Sequence, residues 1–386
     1  LCLSGGGFRA SLVHLGALRR LHETGVEQRV AAISSVSGGS ICSAFLATRL
    51  HDLGLELSAG FPDWQGQVAD PFRKFCGRDF RTWPMVRNIL WNFVRPGPLL
   101  RQLEGRYRRR LTGLTLGELP ARPVFTFCAT DLTFGVNWEF TREGAGSYQA
   151  GYLAEAVGWP LARAVTASAS FPPVLGPMVI RARPEDYKKG KYVGDDGDTL
   201  RRGVELSDGG VYDNMGLEPV WKEWSQVLIS DCGAPFEFVA GKTLLRRLVR
   251  YTSVVTGQTR ALRLRAFFDD TDAGKYGGAY WSLGRGVRPR KEGEPAEGYA
   301  GYSEALAEEV LGKVRTDLDR FTAAEMSVLE NHGYWSAERA VRRYAPGLVG
   351  AGVPAAVSPY PEWEDEGRVR EALRESHRRF SLRRIL

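Results

Sequence analysis

Ser37 is the residue whose setting most suggests chemistry. It stands in Ser35-Val36-Ser37-Gly38-Gly39, after the apolar run Val30-Ala31-Ala32-Ile33 and before a stretch of helical character. A serine on a sharp strand-to-helix corner, with its hydroxyl presented outward, needs small residues on both sides. The spacing here is the G-x-S-x-G nucleophile pattern with serine in place of the first glycine. Ser35 and Gly39 are the small residues that would support the corner. Ser/Gly-rich turns are also ordinary at strand–helix junctions, so the pattern alone marks only a candidate.

A second turn precedes it. Leu1-Cys2-Leu3-Ser4 is a short apolar run that breaks into Gly5-Gly6-Gly7-Phe8-Arg9. Three glycines between a strand and a helix let the backbone N–H groups of Gly5, Gly6 and Gly7 converge on a developing negative charge, as an oxyanion hole does. Arg9 would add fixed positive charge near that loop or anchor it. Gly5-x-Gly7-x-x-Ala10 also fits the dinucleotide fingerprint. That fingerprint wants an acid at the end of the second strand, and the strand here ends in Ser34-Ser35. No Gly-Lys-Ser/Thr follows, which excludes a P-loop.

A serine hydroxyl needs a proton acceptor within hydrogen-bond reach. The histidines are His14 and His22 in the first helical stretch, His51 after the second, and His332 and His377 in the C-terminal helices. None falls at a strand end or in a glycine-flanked loop, so each reads as a surface or packing histidine. Asp208 differs. It follows Val204-Glu205-Leu206-Ser207 and precedes Gly209-Gly210, a carboxylate on a tight turn at a strand's carboxyl end, where open α/β sheets place their sites. A free aspartate titrates near ~3.9 and is a weak base; burial beside Ser37 would raise it. A lone Asp-Gly-Gly is also an ordinary turn. The joint occurrence with Ser37 and the glycine turn is what counts.

Those three motifs in that order resemble the patatin-like phospholipase family. Ala129-Thr130-Asp131-Leu132 and Ala167-Ser168-Ala169-Ser170-Phe171-Pro172-Pro173 are similar to further family segments, and the resemblance covers about residues 1–235. Gln258-Thr259-Arg260-Ala261-Leu262 and Asn331-His332-Gly333-Tyr334 are similar to bacterial members. The resemblance implies a three-layer α/β/α sandwich around a mostly parallel central sheet. It also implies a Ser–Asp dyad in place of a triad, with Ser37 as nucleophile and Asp208 as general base. The oxyanion hole would lie around Gly5, Gly6 and Gly7 with Arg9 beside it, and Gly209 and Gly210 would shape the base turn. The implied reaction is hydrolysis of ester bonds in phospholipids or related lipids through an acyl-enzyme, without metal or cofactor. Ser35 departs from the family's usual glycine but is small enough for the corner.

The elements that must position these groups follow from patterning. Residues 1–50 read as strand, glycine turn, helix, strand, tight turn, helix, an order that predicts a parallel βαβ unit. Ala31-Ala32-Ile33 shows no alternation, as expected of a strand covered on both faces. Residues 52–120 change character: breakers at Phe61-Pro62 and Asp70-Pro71 and recurring Trp and Phe suggest a helical cap. A face formed by Met85, Ile89, Leu90 and Phe93, flanked by Trp91, falls within it. Strands are expected at 123–132, at 136–140 as a hairpin partner, at 204–206 and at 226–231, with Ala266-Phe267-Phe268 as a last strand. Helices are expected at 161–168, 241–265, 303–319, 322–332 and 335–344, and a charged one after about 355. Residues 183–203 and 272–302 read as glycine-rich loops. One catalytic domain over 1–345 with a C-terminal helical tail at 346–386 fits this order.

Composition bounds the partners. The 386 residues are 43% hydrophobic and 25% charged, which excludes a disordered or fibrous chain. Five scattered cysteines (Cys2, Cys42, Cys76, Cys128, Cys232) without a C-x-x-C pair argue against a disulfide framework and against a zinc site. The net charge of +7 points to an anionic partner. From Arg73 to Arg110 there are eleven Lys/Arg against two acids, Asp79 and Glu104. Arginine among Trp and Phe suits contact with an anionic membrane, although a solvated basic surface over a packed cap has the same composition. No nucleic-acid module accompanies the charge, so nucleic acid is not expected as a partner. The start at Leu1, inside a strand, reads as a fragment or processed product, with a cytoplasmic or peripheral membrane location expected. A soluble-ester esterase or thioesterase, and a non-catalytic lipid-binding or scaffold protein, are the rival readings.

Overall fold

The computed structural model describes residues 1–80, 97–172, 175–221, 223–233, 244–287 and 301–376. Its strands are β1 (Cys2–Leu3), β2 (Ala32–Val36), β3 (Val124–Asp131), β4 (Val136–Thr141), β5 (Gly144–Ser147), β6 (Gly151–Leu153), β7 (Met178–Ile180), β8 (Tyr187–Lys188), β9 (Val204–Asp208), β10 (Gln226–Asp231) and β11 (Gly277–Ser282). The helices used below are α1 (Gly7–Glu23), α2 (Gly38–Leu53), α3 (Asp70–Cys76), α4 (Gly97–Arg110), α5 (Leu161–Ser168), α6 (Gly197–Arg201), α7 (Gly210–Asp213), α8 (Leu244–Asp272), α9 (Glu304–Glu309), α10 (Ala323–Tyr344) and α11 (Glu366–Leu373).

The sheet runs β11-β10-β1-β2-β3-β4-β5-β6-β8, with β9 and β7 attached at β3. It is mixed. The expected parallel register holds over β11, β10, β1, β2 and β3. Beyond β3 the pairings are antiparallel; from β3 to β6 the connections are tight turns, too short for a crossover helix. Two cores sandwich the parallel half. Leu3 and Leu228 face one, while Cys2, Val227 and Ile229 face the other. That alternation along buried strands is what a three-layer arrangement requires. All five cysteines are buried free thiols.

α1 is covered on nearly every side, with Leu12, Leu15, Leu18 and Leu21 each at most 1% exposed. Full burial of each such side chain is worth roughly 1.5–3 kcal/mol. α10 packs across it at two glycines: a Cβ on Gly16 would collide with the Glu330 carbonyl, and one on Gly333 with the Val13 carbonyl. α10 is therefore continuous where two helices, 322–332 and 335–344, are expected. Gly333 is a point of close approach, not a stop. Its start is fixed by a capping box, in which Thr322 Oγ1 accepts from Glu325 N–H (3.2 Å) and the Glu325 carboxylate accepts from Thr322 N–H (2.8 Å).

Ala266-Phe267-Phe268 is not a strand. It lies in α8, where Phe267 is buried against Tyr276 at a ring distance of 5.7 Å. The last strand is β11, inside a stretch that reads as loop, because Gly277 and Gly278 blunt its strand signal. The 183–203 stretch holds β8 and α6 between its turns. The face expected from Met85, Ile89, Leu90 and Phe93 lies outside the described residues. Among the described residues no helix is long and apolar enough to cross a membrane.

Candidate active site

β2 and β9 meet head-on along one edge of β3. β2 pairs in parallel with Val124 to Cys128, and β9 pairs antiparallel with Ala129 to Asp131. Running in opposite senses on the same edge, their ends converge. β2 ends at Val36 beside Cys128, and β9 ends at Asp208 beside Ala129. Ser37 and Asp208, 171 residues apart in sequence, are thereby set next to each other. Asp208 thus sits at a strand's carboxyl end as expected, but on an antiparallel strand that returns into the parallel edge.

Ser37 is the N-cap of α2 with φ 50° and ψ −112°, a positive φ on a residue that carries a Cβ. Such a conformation costs of order 1–3 kcal/mol and persists only where the surroundings over-determine it. The surroundings here are hydroxyls. Ser37 N–H donates to Ser168 Oγ (2.9 Å), and Ser168 Oγ donates to the Cys128 carbonyl (2.6 Å). Ser40 Oγ joins Ser168 Oγ (2.8 Å) to Ser35 Oγ (3.2 Å), and Ser35 donates to the Thr126 carbonyl (3.3 Å). Ser35, Ser40 and Ser168 are each fully buried, while Ser37 is partly exposed. The serine that replaces the family glycine is part of this brace.

Asp208 is buried. Desolvation lifts its carboxyl from the ordinary range to about 6, opposed by hydrogen bonds from Gly210 N–H (2.7 Å) and the Ser37 side chain. Its backbone is held by Ser170 and Thr130: Asp208 N–H donates to the Ser170 carbonyl (3.1 Å), and Thr130 Oγ1 donates to the Asp208 carbonyl (2.7 Å). Gly209 and Gly210 are tight: a Cβ on Gly209 would sit 2.6 Å from the Cys128 carbonyl, and one on Gly210 2.6 Å from Asn214 Oδ1.

The glycine loop lies against this corner. Gly5 N–H is committed to the Asn214 carbonyl (3.0 Å), so Gly5 is not a free donor. The N–H groups of Gly6 and Gly7 have no acceptor among the described residues. They open α1, whose first turn carries no acidic side chain, so the positive end of the helix dipole faces the site. A Cβ on Gly38 would collide with the Gly7 carbonyl, and one on Gly39 with the Leu3 carbonyl. Gly38 N–H likewise has no acceptor among the described residues. It is the amide directly after Ser37, the position from which a nucleophile elbow draws one of its donors.

Arg9 anchors and does not point into the site. Its guanidinium donates to the carbonyls of Gly312 (3.1 Å), Val314 (2.8 Å) and Cys232 (3.0 Å). His14 is a second brace. Nε2 faces the Ser4 carbonyl (2.9 Å) and so carries the proton; Nδ1 accepts from Ser230 Oγ (2.8 Å). Burial lowers it to about 4, so the ring is neutral at pH 7. His332 is buried and lowered to about 4 as well, His22 pairs with Glu27 (3.0 Å), and His51 is exposed. Among the described residues no histidine bonds Ser37; His377 lies outside them.

Sequence reading missed three contributors. Gly38 follows from elbow mechanics. Ser168 stood only in a family-like segment. Asn214, whose side chain lies between Gly5, Gly210 and Gly233, carried no signal.

A strained serine at the end of a parallel strand, facing a glycine loop at a helix start, defines a nucleophile-elbow α/β protein. The patatin-like phospholipase family model matches residues 1–221, and the chain belongs to that family. The layered mixed sheet is its fold. No curated protein sequence matches the chain. Among solved structures it is similar to human GIVD cytosolic phospholipase A2, at 12% identity and TM-score 0.44, covering 98% of this chain and 62% of that one. It is also similar to VipD from Legionella pneumophila, at 14% identity and TM-score 0.32, covering 85% and 66%. The chain thus spans less than two thirds of the phospholipase's length.

Proposed function

We propose that this chain is a serine acyl hydrolase that cleaves ester bonds of phospholipids or related lipids at a membrane surface. The observation that carries the reading is a strained Ser37 whose side chain bonds a buried Asp208 beside uncommitted amides. Ser37 Oγ attacks the ester carbonyl carbon and its proton passes to Asp208. The oxyanion lies toward the N–H groups of Gly6, Gly7 and Gly38; one such donor is typically worth ~10²–10³ in kcat. Collapse expels the alcohol, which takes the proton from Asp208. Water then attacks the acyl-enzyme and gives its proton to Asp208, which passes it to Ser37 Oγ as the Oγ–acyl bond breaks, freeing the fatty acid and restoring both residues.

Membrane contact is assigned to the basic 73–110 stretch, where Arg101, Arg108, Arg109 and Arg110 of α4 are exposed; residues 81–96 lie outside the described ones. This gives a peripheral membrane location. A fluorophosphonate probe tests the chemistry. Labelling of the wild type and none of Ser37→Ala is the expected result; an unlabelled wild type points to the non-catalytic lipid-binding reading. Hydrolysis of phospholipid vesicles, compared with short-chain p-nitrophenyl esters, separates a lipid hydrolase from an esterase on soluble acyl substrates.

A further inference from the structure

α8 is clamped at one end and bare along its outer face. Arg260 is held by Asp231 (Nε to Oδ2, 2.6 Å) and by the Tyr280 hydroxyl (3.3 Å), and Asp231 is wholly buried at the end of β10. Arg263 reaches Glu218 (2.7 Å) and lies over the Tyr212 ring (4.9 Å). Phe267 is buried in the core beneath. Positions 260, 263 and 267 follow helical spacing, so one face of α8 is fixed to the body.

This clamp lies beside the candidate site. A Cβ on Gly233 would be 3.1 Å from Asn214 Nδ2 and 3.8 Å from Arg260 Cζ, and one on Gly5 would be 3.2 Å from Ser37 Cβ and against Asn214 Oδ1. Ser37, Gly6, Asn214, Gly233 and Arg260 are all partly exposed. They form a continuous rim from the nucleophile to α8.

The opposite face of α8 carries Tyr251, Val255 and Leu262, which are 63%, 64% and 58% exposed, with Val254 alongside. Arg247 and Arg265 share that face and are exposed too. Between Leu244 and Phe268 the sequence has six arginines and no acidic residue. The acidic residues of α8, Asp269, Asp270 and Asp272, all lie in its last turn, so from Leu244 to Arg260 no acidic side chain is within i+4 reach of an arginine in the helix. From Arg260 back to Leu244 the helix runs about 24 Å. Apolar side chains beside the exposed Arg247 and Arg265, on a helix that meets the rim of the candidate site at Arg260, match one surface: the interface of an anionic bilayer, where acyl chains take the apolar groups and headgroups take the cations.

We infer that α8 is a second membrane-docking element, which seats the protein on anionic membranes together with the basic 73–110 stretch, its Tyr251–Val255–Leu262 face entering the interface on the side of the Ser37 site. This deepens the proposed lipid hydrolase reading and rests on it. It differs from the basic 73–110 contact in naming an apolar insertion next to the nucleophile.

The test is vesicle cosedimentation of the full chain, which needs no turnover. Phosphatidylcholine vesicles with and without phosphatidylglycerol are compared at low and high salt. The wild type is expected to bind the anionic vesicles and to release them as salt rises. Tyr251→Ser with Val255→Ser, and separately Arg247→Glu with Arg265→Glu, are each expected to weaken binding at least about tenfold. Arg247→Lys with Arg265→Lys keeps the charge and is expected to keep binding. All variants should hydrolyse a short soluble ester at the wild-type rate, which shows that they are folded. Unchanged binding of both disruptive pairs would overturn the inference. So would a wild-type dimer, seen by sedimentation velocity, that Tyr251→Ser dissociates while vesicles are ignored. Vesicle binding through α8 without any ester hydrolysis or probe labelling would sink the hydrolase reading and leave the docking face standing.

Discussion

Asp208 carries a conflict between stability and chemistry. Burial raises its pKa to about 6, so the folded state holds a proton that the unfolded chain, titrating near 4, has already lost. Stability contributed by this group is therefore present below pH 4 and lost as pH rises to 6, by about 3 kcal/mol. The ionised form, which the proposed base role requires, exists only above that pH. Ester hydrolysis should follow a rising limb with its midpoint near pH 6, measurable as kcat/KM against pH. Asp208→Asn keeps the acceptor for Gly210 N–H and removes the buried charge. It should lose on the order of 10²–10⁴ in turnover while its Tm at pH 7 stays equal or rises. A variant that melts earlier would contradict the assignment of the shift to burial. Ser168→Ala takes away the acceptor of Ser37 N–H and leaves a strained corner unbraced. A loss of about 1–2 kcal/mol in denaturant unfolding is expected, together with reduced probe labelling of Ser37. Sequence alone could propose Ser37 and Asp208, since a small-residue corner and a strand-end carboxylate are local patterns. It could not find Ser168 or Asn214, because serine and asparagine at turns have many uses and only the contacts select one.

At the level of elements, the site exists because two strands share one edge of β3 from opposite ends. That arrangement explains both success and failure in reading the chain. β2, β3 and β10 were legible because continuous apolar runs mark strands covered on both faces. β11 was not, because close approach to β10 demands glycine: a Cβ on Gly278 would collide with the Val227 carbonyl. The same residue type that breaks a strand pattern in sequence permits the pairing in space. Gly38 makes the parallel case in the site. Gly38→Ala would drive a methyl into the Gly7 carbonyl and part the elbow from the glycine loop. The fold should survive, since α2 is buried along Ile41, Ala44 and Phe45. Turnover should fall by ~10² or more as the donor set is displaced, with circular dichroism unchanged. Gly333→Ala acts on stability instead. Its methyl meets the Val13 carbonyl, and overpacking of that kind typically costs about 1–3 kcal/mol, so Tm falls while kcat at low temperature is kept.

Over the whole molecule, the family match ends at residue 221, yet the supports of the site lie beyond it. β1 is two residues long and is held between β2 and β10, with Cys2 opposite Ile229 and Leu3 opposite Ser230. The Phe8 amide that follows the glycine loop donates to the Asp317 carbonyl (2.9 Å), and Arg9 is pinned to Gly312 and Val314. α10 covers α1. The tail is tied in as well: Val369 and Leu373 are buried in the main core, and Ser303 bonds Glu366 through N–H (2.7 Å) and hydroxyl (2.8 Å). A chain cut after residue 221 loses β10, β11 and α10 together. It should be insoluble or unfolded, and unlabelled by a fluorophosphonate, although it retains Ser37, Asp208 and all three glycines. A chain cut after residue 345 keeps the sheet and the Arg9 supports. It should label at Ser37 with a lowered Tm, because α11 leaves an apolar face of the core open. Full labelling of the shorter chain would mean that the glycine loop holds its shape without the C-terminal carbonyls, and that the catalytic unit is smaller than the sheet it stands on.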